Sequence, residues 1–248
     1  MKQTRPHIIA TSVCGALHKA KGLPCQDYFK TTSHGRRVVA VVSDGAGSAK
    51  YGKIGAKTIC ETLCDVLVKS NLKNVETDVK RAIKIAREKL LFHRYNTSKS
   101  EDELANFSAT VVGVFYHNGK GLFFHIGDGA GIAFQKNMHD KLIISEPENG
   151  AYSCETFFYT MSDWEDFLRL KRFENVNRLM LMTDGVTGFV FSDDFYKVRK
   201  NFLIPIIEYL ENESNKKRAL SALRNTLNDR KAQRINPDDK TMLWVKMP

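Results

Sequence analysis

Three times in this 248-residue chain an apolar run ends at an Asp-Gly pair. VVAVVSDGAGSAKYG spans residues 38–52, LFFHIGDGAG spans 122–131 and LMLMTDGVTG spans 179–188. One Asp-Gly is a common turn pair, because glycine takes positive φ and aspartate bonds its own backbone. Three copies, each closing a buried-looking strand, constrain the chain much further. They imply a rigid sheet scaffold that delivers carboxylates on loops at its strand ends, a common construction for a hard-cation site.

The hydrophobic pattern says what kind of scaffold. Strand-like segments are 7–13, 25–31, 36–43, 107–117, 121–127, 131–135, 141–145, 155–160, 177–183 and 240–246. Helix-like segments are 51–69, 74–95, 202–211 and 214–231, with a shorter one over 163–171. Helices do not alternate regularly with strands, which argues against a doubly wound parallel sheet. The arrangement suits an α+β fold of antiparallel sheets flanked by helices. With no Pro/Gly/Ser linker, repeat or low-complexity tract, residues 1–248 read as a single domain. Residues 146–176 are the least regular and read as a surface flap.

Composition narrows the function classes. At 42% hydrophobic residues the chain can bury a sizeable core, yet no apolar run reaches the length of a membrane span. Lys2 and Arg5 precede HIIATSVCGAL, which is too short and polar for a signal peptide, so a cytoplasmic protein is expected. The cysteines, Cys14, Cys25, Cys60, Cys64 and Cys154, are odd in number and form no CxxC pair, which fits a reduced compartment. The net charge is +10, concentrated in the amphipathic segments 74–94 and 213–234. These read as solvated helix faces, and no aromatic-interleaved basic motif points to nucleic acid.

Six segments resemble, in order along nearly the whole chain, the motifs of the metal-dependent PPM/PP2C protein serine/threonine phosphatases in their compact bacterial form. GALHKAKGLPCQDYF (15–29) looks like the opening strand pair with its acidic motif, and VVAVVSDGAGSAKYGKIGA (38–56) like the strand–DG–loop–helix. FSATVVGVFY (107–116), FFHIGDGAGIAF (123–134), LMLMTDGVTGF (179–189) and NPDDKTMLWV (236–245) look like the later strands. The resemblance implies a four-layer α-β-β-α sandwich, with two antiparallel sheets face to face and helices outside. It implies two Mg²⁺ or Mn²⁺ ions and a third position. Asp44 would bridge two ions, with Gly45 contributing its carbonyl; Asp184 and Asp238 would complete the first ion. Asp128 would hold the additional ion, and Asp27 would lie beside the second. The implied reaction is hydrolysis of phosphoserine or phosphothreonine by a metal-activated water. The partner would be a phosphorylated protein, with a cognate serine/threonine kinase, and the enzyme a monomer free of membrane and nucleic acid.

The chain departs from the family pattern in places. Gln26 stands where the first acidic ligand is usual, and Gly22 stands four residues earlier where larger relatives carry a phosphate-clamping Arg. His18, Lys19 and Lys21 are the candidates to replace that clamp, and His18 is the favoured catalytic candidate. Ala46 follows the first Asp-Gly where some relatives have His, which leaves the general acid unassigned. A PP2C-like pseudophosphatase serving as a regulatory or binding module is the alternative. Asp239 follows Asp238, but successive side chains of an extended segment point to opposite faces. Only one can face the cleft, and Asp238 is expected to. His125 and Trp164 read as packing residues.

Overall fold

The computed structural model describes residues 5–135, 142–148, 156–192 and 197–248. Its central strands are apolar on both faces because both faces are covered. In β3 (Arg37–Ser43), Val38, Ala40 and Val42 pack into one cluster, while Val39 and Val41 pack into another. β9 (Val176–Met182) and β10 (Lys240–Lys246) divide their residues the same way. Leu179, Leu181, Leu243 and Val245 join the cluster of Val38; Met180, Met182, Met242 and Trp244 face away from it.

That alternation produces the expected four layers. One sheet runs β1 (His7–Val13), β10, β9, β6 (Ala130–Gln135), β7 (Leu142–Ser145). The other runs β2 (Tyr28–His34), β3, β4 (Val111–His117), β5 (Lys120–Ile126), β8 (Arg169–Phe173). Every pairing is antiparallel. The cluster of Val38 fills the space between the sheets. Helices α2 (Gly52–Leu67) and α3 (Val75–Leu91) cover the second sheet, while α4 (Asp184–Val190), α5 (Lys200–Asn212) and α6 (Lys216–Leu227) cover the first. On α2, Ala56, Ile59, Cys60, Leu63, Cys64 and Leu67 recur at helical spacing and are fully buried. Each such large side chain contributes roughly 1.5–3 kcal/mol. Cys14, Cys25, Cys60 and Cys64 are free thiols, and no helix among the described residues is long and apolar enough to cross a membrane.

The structure corrects several boundaries. The expected strand 25–31 begins only at Tyr28, because Gln26 and Asp27 are held by side-chain partners rather than by a ladder. The region 146–176 is not simply a surface flap. Residues 149–155 lie outside the described residues, but Tyr159 and Trp164 are buried against α2 and α3, and Arg169–Phe173 is edge strand β8. Residue 155 lies outside the described residues, but over 156–160 no named strand forms, and the helix expected over 163–171 does not form. The helix expected over 214–231 is two helices, α6 and α7 (Arg230–Ile235), because Asp229 caps the second through Lys231 N–H. A short α1 (Ala16–Ala20), a 3₁₀ turn (Glu101–Phe107) and α4 are additional.

Candidate metal centre

All three Asp-Gly pairs converge at one end of the sandwich, and the ladders place them there. Asp44 continues β3 alongside β4: Thr110 N–H donates to the Asp44 carbonyl at 2.9 Å, and Asp44 N–H donates to Thr110 Oγ1 at 3.0 Å. Tyr28 pairs with Ser43, which sets Asp27 beside Asp44. Thr183 N–H donates to the Thr241 carbonyl at 3.1 Å, carrying the β9–β10 ladder to Asp184. Ala130 pairs with Met182, which brings the Asp128 loop to the same edge. Asp238 enters from the turn before β10.

The glycines after these aspartates have an unexpected role. None of Gly45, Gly129 and Gly185 has positive φ. Each sits against the backbone of another site segment. A methyl group on Gly185 would overlap the Asp239 carbonyl, one on Gly45 would overlap Gly52, and one on Gly129 would overlap the Met182 carbonyl. The glycines let the segments close on one another.

The carboxylates are only half satisfied. Asp27 Oδ2 accepts from Thr183 Oγ1 at 2.8 Å and Thr241 Oγ1 at 2.7 Å, and Asp128 Oδ2 accepts from Thr156 Oγ1 at 2.7 Å. Asp27 Oδ1, Asp128 Oδ1 and Asp184 Oδ1 are buried and find no N–H or hydroxyl donor among the described residues. An unpaired buried polar atom costs about 1–3 kcal/mol, and more for a charged group. Electrostatics agree. Burial pushes Asp27 up to about 7. Burial and then the Asp27 carboxylate push Asp44 well above the usual range. Burial and then Asp44, Asp128 and Asp238 do the same to Asp184, and burial raises Asp128. Asp27 and Asp44 lie close together, and the charge of Asp27 disfavours ionisation of Asp44. Packed acids that resist ionisation, offering oxygen donors without protein partners, fit a hard divalent cation.

Neighbouring residues set the shape. Lys240 is fully buried and donates through Nζ to the carbonyls of Asn236 at 2.6 Å and Asp238 at 2.8 Å. It thereby holds the turn that carries Asp238, and burial lowers its pKa. Gln26, with its amide nitrogen turned toward them, donates to the carbonyls of Gly45 at 2.8 Å and Ala46 at 3.0 Å. The Gly45 oxygen keeps one lone pair for another ligand.

Asp238 and Asp239 part company. Among the described residues the Asp238 carboxylate accepts only the N–H of Asp239, at 2.7 Å, and it stays on the side of Asp44 and Asp184. Asp239 is 1% exposed and points into the Gly15–Gln26 segment. Its Oδ1 accepts Gly15 N–H at 2.6 Å, and its Oδ2 accepts Gln26 N–H at 2.6 Å and meets His18 Nδ1 at 2.8 Å. Ligand atoms of His18, Asp238 and Asp239 lie within 4.8 Å of one another, which is close enough to bracket an ion. We favour the carboxylate cluster as the cation site, because the Asp239 carboxylate already meets three partners, Gly15 N–H, Gln26 N–H and His18 Nδ1. His125 is a buried core residue bonded to Ser145 at 3.0 Å, and Trp164 packs against α3. Thr183, Thr156 and Lys240 carry no signal of their own in the sequence beyond the flanks of the acidic motifs.

A family model described as protein phosphatase 2C matches residues 14–228. The chain belongs to the protein phosphatase 2C family. Its fold agrees with solved members. The serine/threonine phosphatase Stp1 from Staphylococcus aureus superposes with a TM-score of 0.66 at 15% identity, over 99% of this chain and 96% of that one. The catalytic domain of the serine/threonine phosphatase PstP, solved with two manganese ions, gives 0.64 at 15% identity over 97% of each chain. The S. agalactiae serine/threonine phosphatase gives 0.63 at 14% identity, over 98% of this chain and all of that one. A search of curated protein sequences finds no match.

Proposed function

We propose that this PP2C-family protein is a metal-dependent phosphoprotein phosphatase that hydrolyses phosphoserine and phosphothreonine. The observation that carries the reading is the set of buried, unpartnered oxygens on Asp27, Asp128 and Asp184 at the strand ends of a PP2C fold. A scaffold without a cation has no use for acids that destabilise it. Asp44 would lie between two Mg²⁺ or Mn²⁺ ions, as PstP holds two manganese ions. Asp184 and Asp238 would complete the first, Gly45 and Asp27 would serve the second, and Asp128 a third. Such ions, when bound, supply a water acidic enough to attack phosphorus at neutral pH. The chain's own part is to hold the carboxylates convergent: Thr183 and Thr241 bond Asp27, Thr156 bonds Asp128, and Lys240 fixes the turn that carries Asp238.

The substrate would be a phosphorylated protein opposing a serine/threonine kinase, acted on by a single-domain cytoplasmic monomer. A phosphothreonine peptide should be hydrolysed with Mn²⁺ and not in EDTA, with activity returning when Mn²⁺ or Mg²⁺ is added back. Undiminished turnover in EDTA would sink the mechanism. One observation favours the second reading, a pseudophosphatase: Gln26 puts a neutral amide on Gly45 where an acidic ligand is usual. Tight Mn²⁺ binding with no turnover on any phosphopeptide would favour it.

A further inference from the structure

His18 is built as a working residue rather than a packing one. It lies in α1, 9% exposed, and its two ring nitrogens have different surroundings. Nδ1 meets the Asp239 carboxylate at 2.8 Å. That carboxylate already accepts two backbone N–H groups at 2.6 Å, from Gly15 and Gln26, so the third contact is assigned as His18 Nδ1–H donating. Among the described residues Nε2 has no hydrogen-bond partner, and the side chain keeps 11% of its surface exposed. It faces the turn that follows Asp44: a methyl group placed on Gly47 would lie 3.9 Å from it. A histidine with one nitrogen anchored to a carboxylate and the other free at a reaction cleft is positioned for proton transfer.

The geometry points to His18 as the proton donor to the leaving serine or threonine oxygen, with Asp239 as its positioning residue. This rests on the phosphatase reading. As the bond between phosphorus and the ester oxygen breaks, the electron pair stays on that oxygen and takes the proton from Nε2. Water supplies the oxygen that phosphorus gains, and water later returns the proton that His18 gave. The sum is one phosphate ester and one water converted to one alcohol and one inorganic phosphate. Asp239 keeps the ring turned so that Nε2, and not Nδ1, meets the substrate. The same carboxylate fastens Gly15 and Gln26, so the donor and the loop beside Asp44 are set by one group.

A pair of substrates separates a proton donor from a structural part. A phosphothreonine peptide releases a poor leaving group that needs a proton, whereas p-nitrophenyl phosphate releases a stable phenolate that does not. His18→Asn keeps an amide able to bond Asp239 but removes Nε2. With saturating Mn²⁺ it should lose at least tenfold more kcat on the peptide than on p-nitrophenyl phosphate, with little change in KM; general-acid catalysis is worth about 10²–10⁴-fold. Asp239→Asn should show the same substrate-selective loss, and the double variant should add little to His18→Asn alone. A second measurement needs no turnover. Ring ¹⁵N spectra of the metal-free wild type should show His18 protonated at Nδ1, and Asp239→Asn should shift that signal. Equal losses on both substrates, full peptide activity in His18→Asn, or a bare Nδ1 would each overturn the assignment. A wild-type protein that cleaves neither substrate with Mn²⁺ brings down the phosphatase reading and this one together. Cleavage of both, with non-selective losses in the variants, brings down only this one.

Discussion

The two ends of the sandwich use the same residue types for opposite purposes. At one end the hairpin turns carry Gly35 (φ 59°), Asn118 (φ 53°), Gly119 (φ 83°) and Asn175 (φ 59°), all left-handed. Asn118-Gly119 joins β4 to β5 as a two-residue turn, with His117 paired to Lys120. At the other end Gly45, Gly129 and Gly185 follow aspartates and are not left-handed. There glycine is selected by the missing side chain, because another backbone lies where a Cβ would be. The turn end needs glycine for its dihedral freedom, and the glycines that follow the site aspartates are needed for their small volume, although Gly127, just before Asp128, also has a positive φ of 106°. A change to alanine should therefore cost little at the turn and much at the site.

The largest expected effect is catalytic. Asp44→Asn should lose most turnover of a phosphothreonine peptide, a fall of at least a hundredfold, or about 2.7 kcal/mol in barrier. Near-wild-type rates would remove Asp44 from the centre. Next comes packing. Gly185→Ala should destabilise the protein by roughly 3 kcal/mol, since the new methyl group must push the Asp239 carbonyl and with it the start of β10. Gly119→Ala should cost only about 1 kcal/mol, through its φ of 83°. Equal losses in urea melts of the two variants would erase the distinction between the ends.

The acidic end should also respond to pH, and the turn end should not. Asp27 is raised from 3.8 to about 7, so the folded state holds its proton more tightly than the unfolded state does. Stability of the metal-free protein from this group is complete below about pH 4 and is lost as pH rises through 7. Asp27→Asn should therefore flatten the fall in metal-free stability between pH 4 and 7. Gly119→Ala should leave its slope unchanged. A metal-free wild type equally stable at both pH values would contradict the burial argument. The smallest effect divides two neighbours. Asp238→Ala should raise the Mn²⁺ requirement by more than tenfold, about 1.4 kcal/mol, whereas Asp239→Asn should leave that requirement within a factor of about two while lowering kcat.

Much of this was legible before any coordinates. Apolar runs of the Val38–Ser43 kind mark strands covered on both sides, and an acid at the end of each marks a convergent edge. The expectation that Asp238 and Asp239 part company rests on strand alternation, but both lie in the turn before β10, where separate partners hold them. What could not be read is whatever depends on distant partners. Nothing local distinguishes Gly119, a turn glycine, from Gly185, a packing one, because the backbone that excludes a Cβ at 185 comes from Asp239. The Arg169–Phe173 edge strand is short and highly charged, and it exists because β5 offers it a ladder. The anchoring of His18 joins residues 221 positions apart. No pattern around GALHKA predicts it.

The ladder between β1 and β10 has a consequence for how the protein is made. β10 lies between β1 and β9 in its sheet, so β1 has no strand partner until β10 has been synthesised. The other sheet, β2 through β8, needs no residue beyond Phe173 and can assemble while translation continues. β2 and β3, which lead into and out of Asp27 and Asp44, can pair as the chain emerges, without Asp238, without Lys240 to hold it, and without Asp239 to anchor His18. The edge that gathers the carboxylates is complete only after the slow, sequence-distant pairing of β1 with β10.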